Sequence, residues 1–165
     1  MRALSSSVVI LSCLCLVGCG HTSDEELVKI FQQGEGKFLL LRGMARSDWD
    51  SNMIRLYVTR TARTYEEADH QGLSKERWRE YQTLLKELRL SGVAASEDRV
   101  EFRFDPPSLF NGDSEKGFLY SETPLAPLLT SLDGFSPSEP TPTPNHNHLA
   151  YRAIQAKWYV FIYYN

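Results

Sequence analysis

Residues 157–164 read Lys157-Trp158-Tyr159-Val160-Phe161-Ile162-Tyr163-Tyr164, and both alternating sets of side chains after Lys157 are apolar or aromatic. A strand has a period of two, so Trp158, Val160, Ile162 and Tyr164 share one side while Tyr159, Phe161 and Tyr163 share the other. A strand that is apolar on both faces belongs inside a sheet with both faces covered. Left at an open edge, so aromatic a run would recruit other chains. The spacing therefore predicts a central strand over Lys157 to Tyr164, preceded by a second β-prone run over Tyr151 to Gln155.

A cover for one face is found upstream. Trp78, Tyr81, Leu84, Leu85 and Leu88 recur at helical spacing, with Lys75, Glu76, Arg79, Glu80, Lys86 and Glu87 lying away from that stripe. Ser74 is the expected cap, Leu73 and Trp78 have the spacing of a hydrophobic staple, and Gly92 is the expected left-handed stop. A helix over Ser74 to Leu90 is thus expected on one face of the aromatic strand.

The remaining elements follow from the same two periods. Val100, Phe102 and Phe104 alternate with Arg99, Glu101, Arg103 and Asp105, a half-wet strand ended by Pro106 and Pro107. Ile54, Leu56 and Val58 alternate with Arg55, Tyr57 and Thr59 in the same way. Phe118 to Ser121 reads as a shorter strand after the Asn111-Gly112-Asp113 turn signal, broken by Pro124 and Pro127. Near the amino end Leu27, Ile30 and Phe31 share a helical face that Phe38, Leu41 and Met44 resume beyond Gly34 and Gly36, which predicts two short helices with a glycine break. Asp24 is the expected cap of the first. Residues 61–72 are polar and read as loop, and residues 133–148 carry Pro137, Pro140, Pro142 and Pro144 among Ser, Thr and Asn, an extended solvated loop. The expected class is α+β: a meander-like, mostly antiparallel sheet of about four or five strands with two or three packed helices.

The composition agrees with one packed domain, because 165 residues with 42% hydrophobic and 12% aromatic content can bury enough surface to offset ordering entropy. A net charge of -3, with no basic helix or recognisable module, argues against nucleic acid as a partner.

The first twenty residues differ from all that follow. Arg2 is their only charge, and Val8 to Val17 is apolar except for Ser12. Such a run falls short of the roughly twenty residues that span a hydrocarbon core but suits the apolar stretch of a secretory signal. It ends in Leu16-Val17-Gly18-Cys19, which resembles the lipobox of bacterial lipoproteins in having Leu three places before Cys and a small residue just before it. The thiolate of Cys19 is the nucleophile there able to form a thioether. Cys13 and Cys15 do not fit, since Ile10 stands three places before Cys13 and Leu14 immediately precedes Cys15.

The resemblance implies a diacylglycerol on the Cys19 sulfur, cleavage before Cys19, and further acylation with chains such as palmitate. It divides the chain into a signal peptide over 1–18, the lipidated Cys19 with its tether over 19–25, and one globular domain over 26–165. Cys13 and Cys15 leave with the signal, so the mature chain would hold no free thiol, disulfide or thiolate metal site. Gly20 stands where Asp would signal inner-membrane retention, so the resemblance implies the outer membrane facing the periplasm in a Gram-negative host. In a Gram-positive host it implies the outer face of the plasma membrane. More faintly, Lys75 to Arg89 and the ending Tyr151-Arg152-Ala153-Ile154 with Lys157-Trp158-Tyr159-Val160 resemble small proteobacterial lipoproteins without an assigned activity, which implies a location and no chemistry.

Candidate chemistry is sparse. His146 and His148, two apart and flanked by Asn145 and Asn147, would point to one side of an extended backbone, but two ligands do not make a metal site. Arg42, Arg46, Arg55, Arg60 and Arg63 against Asp48 and Asp50 make residues 42–63 locally basic, fit to face anionic headgroups or a polyanion or, more commonly, to sit scattered on outward strand and helix faces. Asp113 with Glu115, and Glu66 with Glu67 and Asp69, read as solvated loop clusters. Glycine-rich phosphate loop, nucleophile elbow and HExxH are all missing from the sequence. No catalytic residue, no metal and no cofactor beyond the covalent lipid on Cys19 is expected. The expected function is that of a membrane-tethered envelope lipoprotein with a binding or accessory role, its partners the bilayer through Cys19 and an envelope protein. The alternatives are an immunity or inhibitor lipoprotein acting through loop 133–148, and an envelope hydrolase working on cell-wall or lipid material.

Overall fold

A computed structural model of the chain describes residues 22–52, 56–60, 72–104, 114–135 and 148–164. The elements are α1 (Asp24–Asn52), β1 (Leu56–Thr59), α2 (Lys75–Glu87), β2 (Leu90–Ala95), β3 (Arg99–Phe104), β4 (Ser114–Ser121), β5 (His148–Gln155) and β6 (Trp158–Tyr164). The strands form one antiparallel sheet in the order β1-β2-β3-β4-β6-β5. The first four make a meander, and the β5–β6 hairpin folds back so that β6 pairs with β4. The class is α+β, with six strands where four or five were expected.

As its two apolar faces require, β6 lies inside the sheet, pairing with β4 through Gly117↔Phe161 and with β5 through Tyr151↔Phe161. Its cover is α1, not the helix over 74–90. The Phe31 ring lies 4.8 Å from Trp158, and Phe38 lies 5.0 Å from Phe118 and 5.6 Å from Phe102. Geometry explains the exchange. A helix of 29 residues is about 43 Å long and can run across the whole sheet. By contrast α2 turns straight into β2, which holds it over that end of the sheet.

The expected glycine break in α1 does not occur. Leu27, Phe31, Phe38, Leu41 and Ala45 are all buried at helical spacing along one continuous face. Each interior glycine costs a helix about 1 kcal/mol, less than burying even one of these large side chains returns. Gly34 has a packing reason, since a Cβ there would stand 3.0 Å from Cδ2 of Leu88 and 3.1 Å from Cε2 of Phe38.

The expected start of α2 is found as read. Ser74 Oγ accepts from the Arg77 N–H at 3.1 Å, and Leu73 and Trp78 are both buried. Its stop is different. Arg89, at φ 56°, takes the left-handed position and donates its N–H to the Lys86 carbonyl, while Gly92 sits within β2. Gly92 is needed there because a Cβ would stand 2.9 Å from the Val58 carbonyl oxygen of the neighbouring strand.

On the second face of the sheet, Leu125 joins Leu119, Tyr151 and Phe161 in a smaller core. The chain then passes the free edge of β5, where the Leu129 N–H donates to the Tyr151 carbonyl at 2.8 Å, and delivers Leu132 to the main core. Residues 122–132 therefore wrap an edge that would otherwise expose unpaired backbone groups.

Cys19 and the apolar run before it, Ile54, Arg55, residues 61–71, Pro106, Pro107, the Asn111-Gly112-Asp113 turn and residues 136–147 of the proline-rich loop lie outside the described residues. Among the described residues no helix is long and apolar enough to cross a membrane.

Candidate binding site

The start of α1 is built differently from expectation. Ser23 caps it, accepting from the Glu26 N–H at 3.2 Å, and Asp24 and Glu25 belong to the helix rather than to a tether. Freed from capping, the Asp24 carboxylate turns inward and is fully buried. It accepts from the Leu132 N–H at 2.5 Å, Ser131 Oγ at 3.0 Å, Lys116 Nζ at 3.2 Å and Arg152 Nη1 at 3.2 Å. Asp133 receives the Asp24 N–H at 3.1 Å and Lys116 Nζ at 2.9 Å, placing an anion at the positive end of the helix. Burial alone would raise the Asp24 carboxyl, but the Leu132 amide, Lys116 and Ser131 outweigh it and hold the group below its usual range. Lys116 Nζ also donates to the Thr22 carbonyl at 3.3 Å, so this buried charge cluster fixes where the chain enters the domain.

Beside that entry point lies a cleft of about 710 Å³, a volume within the range that holds small ligands. The first half of α1 forms one wall and the end of α2 with Arg89 forms the other. Its floor is Ile30, Gly34, Leu88 and Phe104, and Thr22 stands at one end. The absent side chain at Gly34 lets Leu88 lean in. Charged and polar groups make the rim: Glu26, Gln33, Lys37, Arg60, Glu87 and Arg89. Lys37 Nζ and Glu87 Oε2 meet at 2.9 Å and link the two walls. The rim carries three cationic and two anionic side chains in a chain whose net charge is -3. An apolar floor with a charged rim is suited to holding an amphiphile.

Among the described residues, the arginines of the basic segment 42–63 have separate surroundings. The Arg42 guanidinium lies 4.4 Å over the Tyr120 ring. Arg46 Nη1 donates to the Ser96 and Glu97 carbonyls at 2.6 and 2.5 Å, tying α1 to the β2–β3 turn. Arg60 lines the cleft, and Arg55 and Arg63 lie outside the described residues. Of the acidic clusters, Glu115 lies on β4, while Asp113, Glu66, Glu67 and Asp69 fall outside the description. Arg103 reaches Glu101 at 2.9 Å and Glu115 at 3.6 Å. Burial raises the Glu115 carboxyl, Arg103 offsets part of that, and Glu101 adds to it. The backbone of His148 pairs with Tyr164, whereas His146 lies outside the description. Among the described residues no group of three or more His, Cys, Asp or Glu is placed to hold a metal ion.

Neither Asp24 nor the cleft was visible as a site in the sequence, because their partners lie far apart along the chain. No family model matches this chain, and neither the comparison with curated proteins nor that with solved structures finds a match.

Proposed function

We propose that this chain is a lipid-anchored protein of the cell envelope whose globular domain acts by binding, with the cleft over Ile30, Leu88 and Phe104 as its receptor site. The observation that carries this reading is positional. The Leu16-Val17-Gly18-Cys19 motif ends three residues before Thr22, and Thr22 lines the cleft. Three extended residues reach about 10 Å, so a thioether at Cys19 would keep the end of the cleft close to the bilayer surface. A diacylglycerol thioether together with a further acyl chain exceeds the marginal hold of a single chain and makes attachment effectively permanent. In a Gram-negative envelope the position of Gly20 favours the outer membrane, facing the periplasm.

The test is Cys19→Ser in cells supplied with labelled palmitate. The native chain should carry label, migrate at its processed size and fractionate with membranes. The variant should lose the label and keep its unprocessed size. Unchanged labelling and mobility in the variant would overturn the reading.

A further inference from the structure

We propose that the outward face of α1 is a self-association surface, on which a second copy of this chain lays its own α1 antiparallel. Turned away from the sheet, this face carries Leu39 and Leu40, 41% and 56% exposed, between the exposed Gly36 and Gly43. Gly34 has Leu88 and Phe38 against it, but a Cβ at Gly36 or at Gly43 would meet nothing within 4 Å among the described residues. These two glycines weaken the helix with no return from their own domain. A second helix supplies the return, because a surface bare at two points lets it approach closely and settle its leucines in the gaps.

Charge selects the partner and its direction. Lys29 and Asp50, both exposed, lie on the same face toward the two ends of the helix. An antiparallel α1, in the register that sets Leu39 beside Leu40 of the other copy, brings Gly36 to Gly43 and Lys29 to Asp50 at both ends at once. Each of these pairs is centred on the same midpoint, so the face complements itself about a two-fold axis. A parallel pair would set Lys29 on Lys29 and Asp50 on Asp50. Lys37 and Arg42, like charges that the antiparallel register brings to one height, lie round the sides of the helix and are engaged by Glu87 and by the Tyr120 ring. Asp50 meets Arg46 of its own chain at 3.6 Å and, being exposed, can take a second cation. A contact from Lys29 to Asp50 is about 33 Å long and about 10 Å wide, about 700 Å² over both copies. That is below the ~1,200 Å² of stable complexes, so the pair forms weakly and in proportion to concentration.

The test uses the intact chain in mild detergent over a range of micromolar concentrations, followed by sedimentation and by a carbodiimide, which joins a carboxylate to a touching amine. Dimer should grow with concentration, and the joined peptides should include Lys29 with Asp50. That link forms only between copies, because the two residues lie about 30 Å apart along one helix. Lys29→Asp and Asp50→Lys should each lower the dimer several-fold, whereas the two variants mixed should pair with each other, since opposite charges then meet at both ends. Gly36→Gln with Gly43→Gln should also abolish the dimer while raising the urea midpoint, which separates lost docking from lost folding. A chain that stays monomeric at every concentration, a dimer without the 29–50 link, charge variants that associate as the native chain does, or a mixture no better than its parts would each overturn the proposal. So would a monomer whose retention on phosphatidylcholine vesicles falls with Leu40→Asn, which gives the face to a bilayer. The inference does not need the anchored reading, and none of these outcomes touches it.

Discussion

Gly117 of β4 faces Phe161 of β6, and the Phe161 ring occupies the place a side chain at 117 would need: a Cβ there would stand 2.7 Å from the ring. The backbone carbonyl oxygen of Phe102 would stand closer still. The glycine is therefore a condition for seating Phe161 in the core of the second face. Gly117→Ala should destabilise the domain by about 1–3 kcal/mol, the usual penalty of overpacking, read as a lower urea midpoint at unchanged slope. A midpoint equal to that of the native chain would show that both the ring and the backbone at Phe102 can move aside at no cost.

Lys116 and Asp24 are both buried and satisfy each other together with Asp133 and Arg152. Removing one member of such a cluster leaves an uncompensated charge in a dry place. Lys116→Met should cost about 3 kcal/mol in unfolding free energy. Asp24→Asn added to it should restore part of that loss, and a double variant no better than the single would mean that charge balance is not the cause.

Acid titration reports on the same cluster. The folded Asp24 carboxyl lies below its ordinary value of 3.8, so the unfolded chain takes up the proton first as pH falls. Its contribution to stability is fully present above about pH 4 and is lost progressively below that, as the folded group titrates. Thermal unfolding followed from pH 6 to pH 2 should show the native chain losing this contribution only at the acid end, and Asp24→Asn should lack that part of the decline.

Glu115 has the opposite sign. Burial lifts its carboxyl above 4.5 in the folded state, so ionisation is easier in the unfolded chain and stability falls as pH rises from the unfolded value through the folded one. Glu115→Gln should raise the melting temperature at pH 7, and the advantage should vanish below about pH 4, where both states of the native chain hold the proton. A gain of equal size at both pH values would assign the effect to packing instead.

At the end of α2, Arg89 holds φ at 56°, a conformation that costs a side-chain-bearing residue about 1 kcal/mol and glycine nearly nothing. Arg89→Gly should stabilise the domain by about that amount in denaturant unfolding. An unchanged or lower stability would show that the arginine side chain returns more than the backbone loses.

Where a local pattern determines a structure, the sequence displays it. Ser74, Leu73 and Trp78 mark the start of α2 because cap and staple are made within one turn, and Val100 and Phe102 mark β3 because its two faces meet different surroundings. By contrast β2 hides in plain sight: Leu90-Ser91-Gly92-Val93-Ala94-Ala95 is small and almost wholly buried, without a wet face to create alternation. The continuity of α1 across Gly34 depends on Leu88 arriving from another helix. Lys116 falls ahead of the strand expected over Phe118 to Ser121, and its role shows only when its partner, 92 positions earlier, is brought against it. The cleft draws on α1, the end of α2 and the ends of β1 and β3, so no stretch of sequence contains it.

The cluster around Asp24 also sets how the molecule answers a pull. Tension applied along the segment ahead of Thr22 is transmitted first to the Lys116 ammonium and the Asp24 backbone, and from there to β4, β5 and the turn at Ser131. These ties join the root of α1 to three places at once, so the force spreads across the sheet instead of peeling the helix off it turn by turn. A protein hung from its amino end would keep its fold under a tug that frays an unclamped helix.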